Sequence, residues 1–95
     1  MRITSREHIA IVQAVQAQDP AAQIFLYGSR TDDQALGGDI DVLLLSQKIK
    51  FANKLDIMVS LRQSLGERKI DLVVFPDASK PFAQVALEKS IHLNP

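Results

Sequence analysis

Ile11, Val12 and Val15, flanked by Ala14, fall on one helical face, and Thr4 and Glu7 precede them at capping-box spacing. The pattern predicts a helix from about Ser5 to Ala17, ended by Asp19-Pro20. Gln23 to Tyr27 is a short apolar run with aromatic and β-branched bias, which predicts a strand closed by Gly28. Ile40 to Leu45 is apolar without alternation, the pattern of a strand covered on both faces. After Lys50, the residues Phe51, Leu55, Met58 and Leu65 recur at helical spacing, with Leu61 beside them and Gly66 as a stop. They are the expected buried stripe of a second helix. Ile70 to Phe75 predicts a third strand ended by Pro76, and Pro81 opens a last helix carrying Phe82, Val85, Ala86 and Leu87.

This order predicts an α/β (α+β) fold, a small mixed sheet of at least three strands flanked by helices, in a single domain spanning residues 1–95. The polar loop that joins the first two strands, with no helix between them, favours an antiparallel pair. The second helix makes a right-handed crossover between parallel strands. A chain this small is also expected to leave an apolar helix face or a sheet edge uncovered, as a docking surface for a partner or a second copy.

Composition narrows the functional classes. Eleven basic residues balance 11 acidic ones, so no general nucleic-acid binding is expected. The lack of cysteine excludes disulfides, thiolate zinc sites and cysteine nucleophiles, leaving oxygen and imidazole ligands. The longest uninterrupted apolar stretch, Val42 to Leu45, is too short for a membrane span, and MRITSREHIA is not an apolar signal segment; the expectation is a cytoplasmic protein without membrane contact.

The chemistry concentrates in GSRTDDQALGGDIDVLLL, residues 28–45. Alternate strand residues share a face, so Asp39 and Asp41 point the same way with α-carbons roughly 6.5 Å apart. Two bare carboxylates at the rim of an apolar core repel, and burying them unpaired would cost several kcal/mol, a penalty that a divalent cation removes. The alternative is a solvated turn after Gly37-Gly38, which does not explain the apolar run that follows at once. Asp71 opens the third strand as Asp41 sits in the second, and a parallel crossover brings both strand starts to one end of the sheet. Taken alone, Asp71 is equally a solvated or ion-paired acid beside Arg68-Lys69. Together the three carboxylates suit magnesium or manganese, with phosphates as further ligands. Gly28 lets backbone amides approach a phosphate and Ser29 adds a hydroxyl, although a serine after glycine is most often a turn residue.

On Gly28, Ser29, Asp39, Asp41 and Asp71, the chain resembles the DNA polymerase β-like nucleotidyltransferase superfamily, whose pattern is Gly-Ser, a spacer, Asp-x-Asp on a strand and a later strand aspartate. LYGSR and GGDIDVLLL are most similar to the minimal nucleotidyltransferases of bacteria and archaea, including those that act as antitoxins. The resemblance implies Asp39, Asp41 and Asp71 as catalytic ligands of two Mg2+ ions, with Gly28, Ser29 and Arg30 contacting the nucleoside triphosphate. It implies transfer of a nucleoside monophosphate, AMP from ATP, to a protein hydroxyl. Larger relatives carry an added helical domain, so the resemblance also implies a partner, a helical HEPN-domain toxin neutralised by this chain as antitoxin; a homo-oligomer is a further option. Two other classes stay open: an inactive nucleotidyltransferase-like module that covers a helical partner, and transfer onto a small molecule.

The remaining polar residues carry weaker signals. Arg30 is either a phosphate contact or an ion-pair partner of Asp32 or Asp33. Arg62 reads first as a surface arginine, with Arg62, Arg68 and Lys69 as reserve cations for a triphosphate. His8 and His92 match no metal spacing and read as surface imidazoles.

Overall fold

The computed structural model describes residues 3–28 and 39–95. Its elements are α1 (Ser5–Gln16), β1 (Gln23–Tyr27), β2 (Ile40–Leu45), α2 (Phe51–Leu65), β3 (Ile70–Phe75), α3 (Pro81–Glu88) and β4 (Ile91–His92). The sheet runs β3-β2-β1-β4. β1 pairs antiparallel with β2 and β4, while β2 and β3 are parallel, as a helical crossover through α2 requires.

Local sequence sets most of the boundaries. At the start of α1 the Thr4 hydroxyl accepts from the Glu7 amide at 3.0 Å and the Glu7 carboxylate accepts from the Thr4 amide at 2.8 Å, a complete capping box. The Asn53 side chain accepts from the Lys50 amide at 2.8 Å where α2 begins. Gly66, at φ 73°, ends α2 in a conformation that side chains with a Cβ resist. β4 was not foreseen: two residues are too few for a periodic signal. It is held by the Leu93 amide on the Ile24 carbonyl at 2.8 Å, and by Asn94, which accepts from the Ile24 amide and donates to the Ala22 carbonyl.

One sheet face carries the main core. Ile24, Leu26, Ile40, Val42, Leu44, Ile70 and Leu72 pack there with Ile11 and Val15 of α1 and Ile57 and Leu61 of α2. The expected stripe of α2 is thereby corrected. Phe51 and Leu55 are exposed, Met58 and Leu65 only edge the core, and the buried seam is Ile57 and Leu61. Phe51, Leu55 and Val59 instead form an exposed apolar line at four-residue spacing, on the helix that leads into the edge strand β3.

The opposite face carries the alternate residues, among them Phe25, Tyr27, Asp41, Leu43, Asp71 and Phe75. Leu43 at its centre is fully buried, so β2 is covered on both sides as its unbroken apolar run predicts. The cover is α3: Phe82 makes an edge contact with Tyr27 at 6.0 Å between centroids and a tilted one with Phe75 at 5.8 Å. Only Ala83 of α3 is fully buried, whereas Phe82 and Val85 stay 51% and 67% exposed.

A buried polar tie fixes the end of the sheet away from the acids. Asp19 accepts from the Ser46 hydroxyl at 2.6 Å and from the Ala21 amide at 3.0 Å, while Ser46 Oγ accepts from the amides of Lys48 and Ile49. These bonds hold the carboxyl of Asp19 below its ordinary range, the Ser46 hydroxyl contributing most. They also fix the chain where β2 turns toward α2.

Candidate active site

The register of the sheet builds a row of three polar side chains. Tyr27, the last residue of β1, lies opposite Asp41, and Asp41 lies opposite Asp71 on parallel β3. Paired residues share a face, so phenol, carboxylate and carboxylate stand side by side on neighbouring strands, about 4.8 Å apart per step. The Tyr27 hydroxyl is held above its ordinary pKa by burial first, then by the negative charges of Asp41 and Asp71. Tyr27 was not singled out from the sequence. Its signal was present: it directly precedes Gly28 and, in an antiparallel pair, must face the strand that carries the acids.

Gly28 follows Tyr27 with φ 73°, and a Cβ built on it would stand 2.6 Å from Asp41 Oδ2. Glycine is therefore needed twice here, for backbone conformation and for the space the carboxylate occupies. Asp39 lies just before β2, with Oδ2 3.4 Å from the Lys69 ammonium; Lys69 is largely solvated and Asp39 partly so, so the pair adds little stability. Among the described residues, Asp39, Asp41 and Asp71 do not close into a three-ligand metal cluster. Ser29 and Arg30, the expected phosphate contacts, lie outside the described residues, as do Asp32 and Asp33.

Two concavities flank the row. One, of about 720 Å3, runs from Leu55, Val59 and Arg62 of α2 to Lys69 and Asp71. Arg62 is exposed and pairs with Glu67 at 3.6 Å, and Arg68 pairs with Glu7 at 3.4 Å, so each of these cations already faces an acid. The other, of about 550 Å3, lies between Tyr27 and Gly28 on one side and Phe82, Val85 and Ala86 of α3 on the other. The histidines are not the surface imidazoles expected. His8 Nε2 meets the Leu93 carbonyl at 2.7 Å, while His92 stacks on Phe25 and buries Nε2 with no hydrogen-bond partner among the described residues.

The family model for polymerase β nucleotidyltransferases matches residues 10–94, a span that includes Gly28, Asp39, Asp41 and Asp71. The chain belongs to that family. The matched span runs from α1 through β4, so every described strand and helix falls inside it wholly or in part. A crystal structure of a toxin-antitoxin with AMP-PNP superposes with a TM-score of 0.72 at 21% identity, covering 96% of this chain and 73% of the other. At that identity the likeness is one of fold. No curated protein matches the chain. Among the described residues, no helix is long and apolar enough to cross a membrane.

Proposed function

We propose that this nucleotidyltransferase moves a nucleoside monophosphate, AMP from ATP, onto a hydroxyl of a protein partner, and that the partner is a helical HEPN-type toxin for which it is the antitoxin. The carrying observation is the in-register pair Asp41 and Asp71 with Gly28 against Asp41 Oδ2. Family membership supports the reaction class, and the toxin-antitoxin with AMP-PNP supports the nucleotide and the partner.

The donor set fits magnesium: Asp39, Asp41 and Asp71 offer hard carboxylate oxygens, and Asp39 already attracts the Lys69 cation. Bound there, magnesium would lower the pKa of the acceptor hydroxyl and neutralise charge on the leaving pyrophosphate. Gly28 leaves the phosphate chain room to approach the backbone, and Ser29 and Arg30 are assigned to the phosphates. Asp71, nearest the edge of the sheet, is assigned to the acceptor side as third ligand or base. The acceptor oxygen attacks the α-phosphorus, its bond to the pyrophosphate breaks, and the hydroxyl proton leaves to solvent through the carboxylate side of the site.

A second reading, an inactive module that covers its partner, is favoured by the Asp39–Lys69 pair, which binds one acid to a cation of the chain itself. Labelled α-phosphate from each nucleoside triphosphate, supplied with magnesium and a co-purified partner, separates the two. Label on the partner with wild type and none with Asp39→Asn or Asp41→Asn supports transfer. A stable complex that never takes label supports the inactive module.

A further inference from the structure

We infer that the cleft between β1 and α3 holds the base of the nucleotide, and thereby extends the candidate site from phosphate chemistry to base recognition; the inference rests on the nucleotidyltransferase reading above. The cleft shares Tyr27 and Gly28 with the acid row, so a nucleotide whose α-phosphate meets the acids has this cleft within reach of its base. Its volume of about 550 Å3 lies in the range of roughly 300–1,000 Å3 typical of small-ligand pockets.

The chemistry of the walls suits a flat heterocycle. Phe82 and Tyr27 meet edge to face at 6.0 Å, which leaves part of the Phe82 ring open, and Val85 and Ala86 extend the apolar wall one helical turn further. An eight-residue helix that buries only Ala83 yet exposes Phe82 and Val85 leaves apolar surface uncovered next to the site. Glu88 and Lys89 form the polar rim, an acceptor and a donor for the edge of a base. The larger α2 groove is less suited. It reaches Asp71 but not Gly28, and its arginines are engaged with Glu67 and Glu7.

The test is calorimetric binding, with magnesium, of ATP and of inorganic tripolyphosphate, which carries the phosphates without a base. The proteins are wild type, Ala86→Leu, Val85→Gln and Val59→Gln, the last being an exposed control in the α2 groove. Ala86→Leu fills the cleft without changing charge, and Val85→Gln alters an exposed position. Both are expected to bind ATP at least about tenfold more weakly with tripolyphosphate affinity unchanged, while Val59→Gln matches wild type. Wild-type ATP affinity in both cleft variants overturns the inference, as does an equal loss for ATP and tripolyphosphate. Loss confined to Val59→Gln moves the base to the α2 groove and overturns it as well. Wild type that binds neither probe overturns the nucleotide reading itself, an outcome distinct from the others.

Discussion

Gly28→Ala separates the stability role of that residue from its role in the site, because the protein carries its own control. Gly28 and Gly66 share φ 73°, but a Cβ at Gly66 meets nothing within 4 Å among the described residues, whereas at Gly28 it meets Asp41 Oδ2 at 2.6 Å. Both alanine variants place a Cβ at positive φ, a penalty on the order of 1–3 kcal/mol. At about 4–8 °C per kcal/mol for a domain this size, each melts measurably lower. The extra clash at Gly28 is with the tip of a side chain that can rotate, so both variants should lose stability on that same order. Catalysis should not agree. The same rotation that relieves the clash moves an Asp41 carboxylate oxygen, and displacements near 1 Å at a reacting centre cost on the order of 100-fold in rate. Thermal melts of both variants, beside label transfer to the partner, give the comparison. Gly28→Ala that transfers label at the rate of Gly66→Ala would refute the claim that this glycine makes room for a working carboxylate.

Tyr27 is the lone tyrosine in a chain without tryptophan, so a spectroscopic titration reports its phenol directly. Asp41→Asn and Asp71→Asn should each lower its midpoint, as each removes a charge that raises it, and an unmoved midpoint in both variants would break the proposed row of side chains. The lowered pKa of Asp19 has a defined sign: its contribution is fully present above the unfolded value, about 3.9, and is lost as pH falls through the lower folded value. Ser46→Ala should therefore flatten the acid limb of a stability–pH curve, and an identical limb in wild type and variant counts against the tie. In α2, Ile57→Ala should cost about 2–5 kcal/mol, while Leu55→Ala stays within about 0.5 kcal/mol; chemical denaturation yielding the reverse order would restore Leu55 to the core.

The boundaries of α1, β1, β2, α2 and β3 were legible because each rests on neighbours in the chain: a capping box at Thr4 and Glu7, a proline after Asp19, a glycine at Gly66. The acids were legible for the same reason, as two carboxylates opening an apolar strand demand an explanation wherever the chain goes. Which face of α2 is buried was not. Phe51, Leu55 and Val59 are as apolar as Ile57 and Leu61, and two competing stripes on one helix are separated only by what packs against them. Nor was β4, whose two residues are fixed by Asn94 and the free edge of β1.

The sequence by itself determined the type and order of the helices and the first three strands, and singled out the acids of the candidate site, because local geometry and charge act over a few residues. Tertiary structure decided that Tyr27 joins Asp41 and Asp71 in one row, that Gly28 stands against Asp41, and that α3 leaves Phe82 and Val85 open beside them. Those relations arise from strand register and helix docking, which bring together residues far apart in the chain, so no local pattern fixes them by itself.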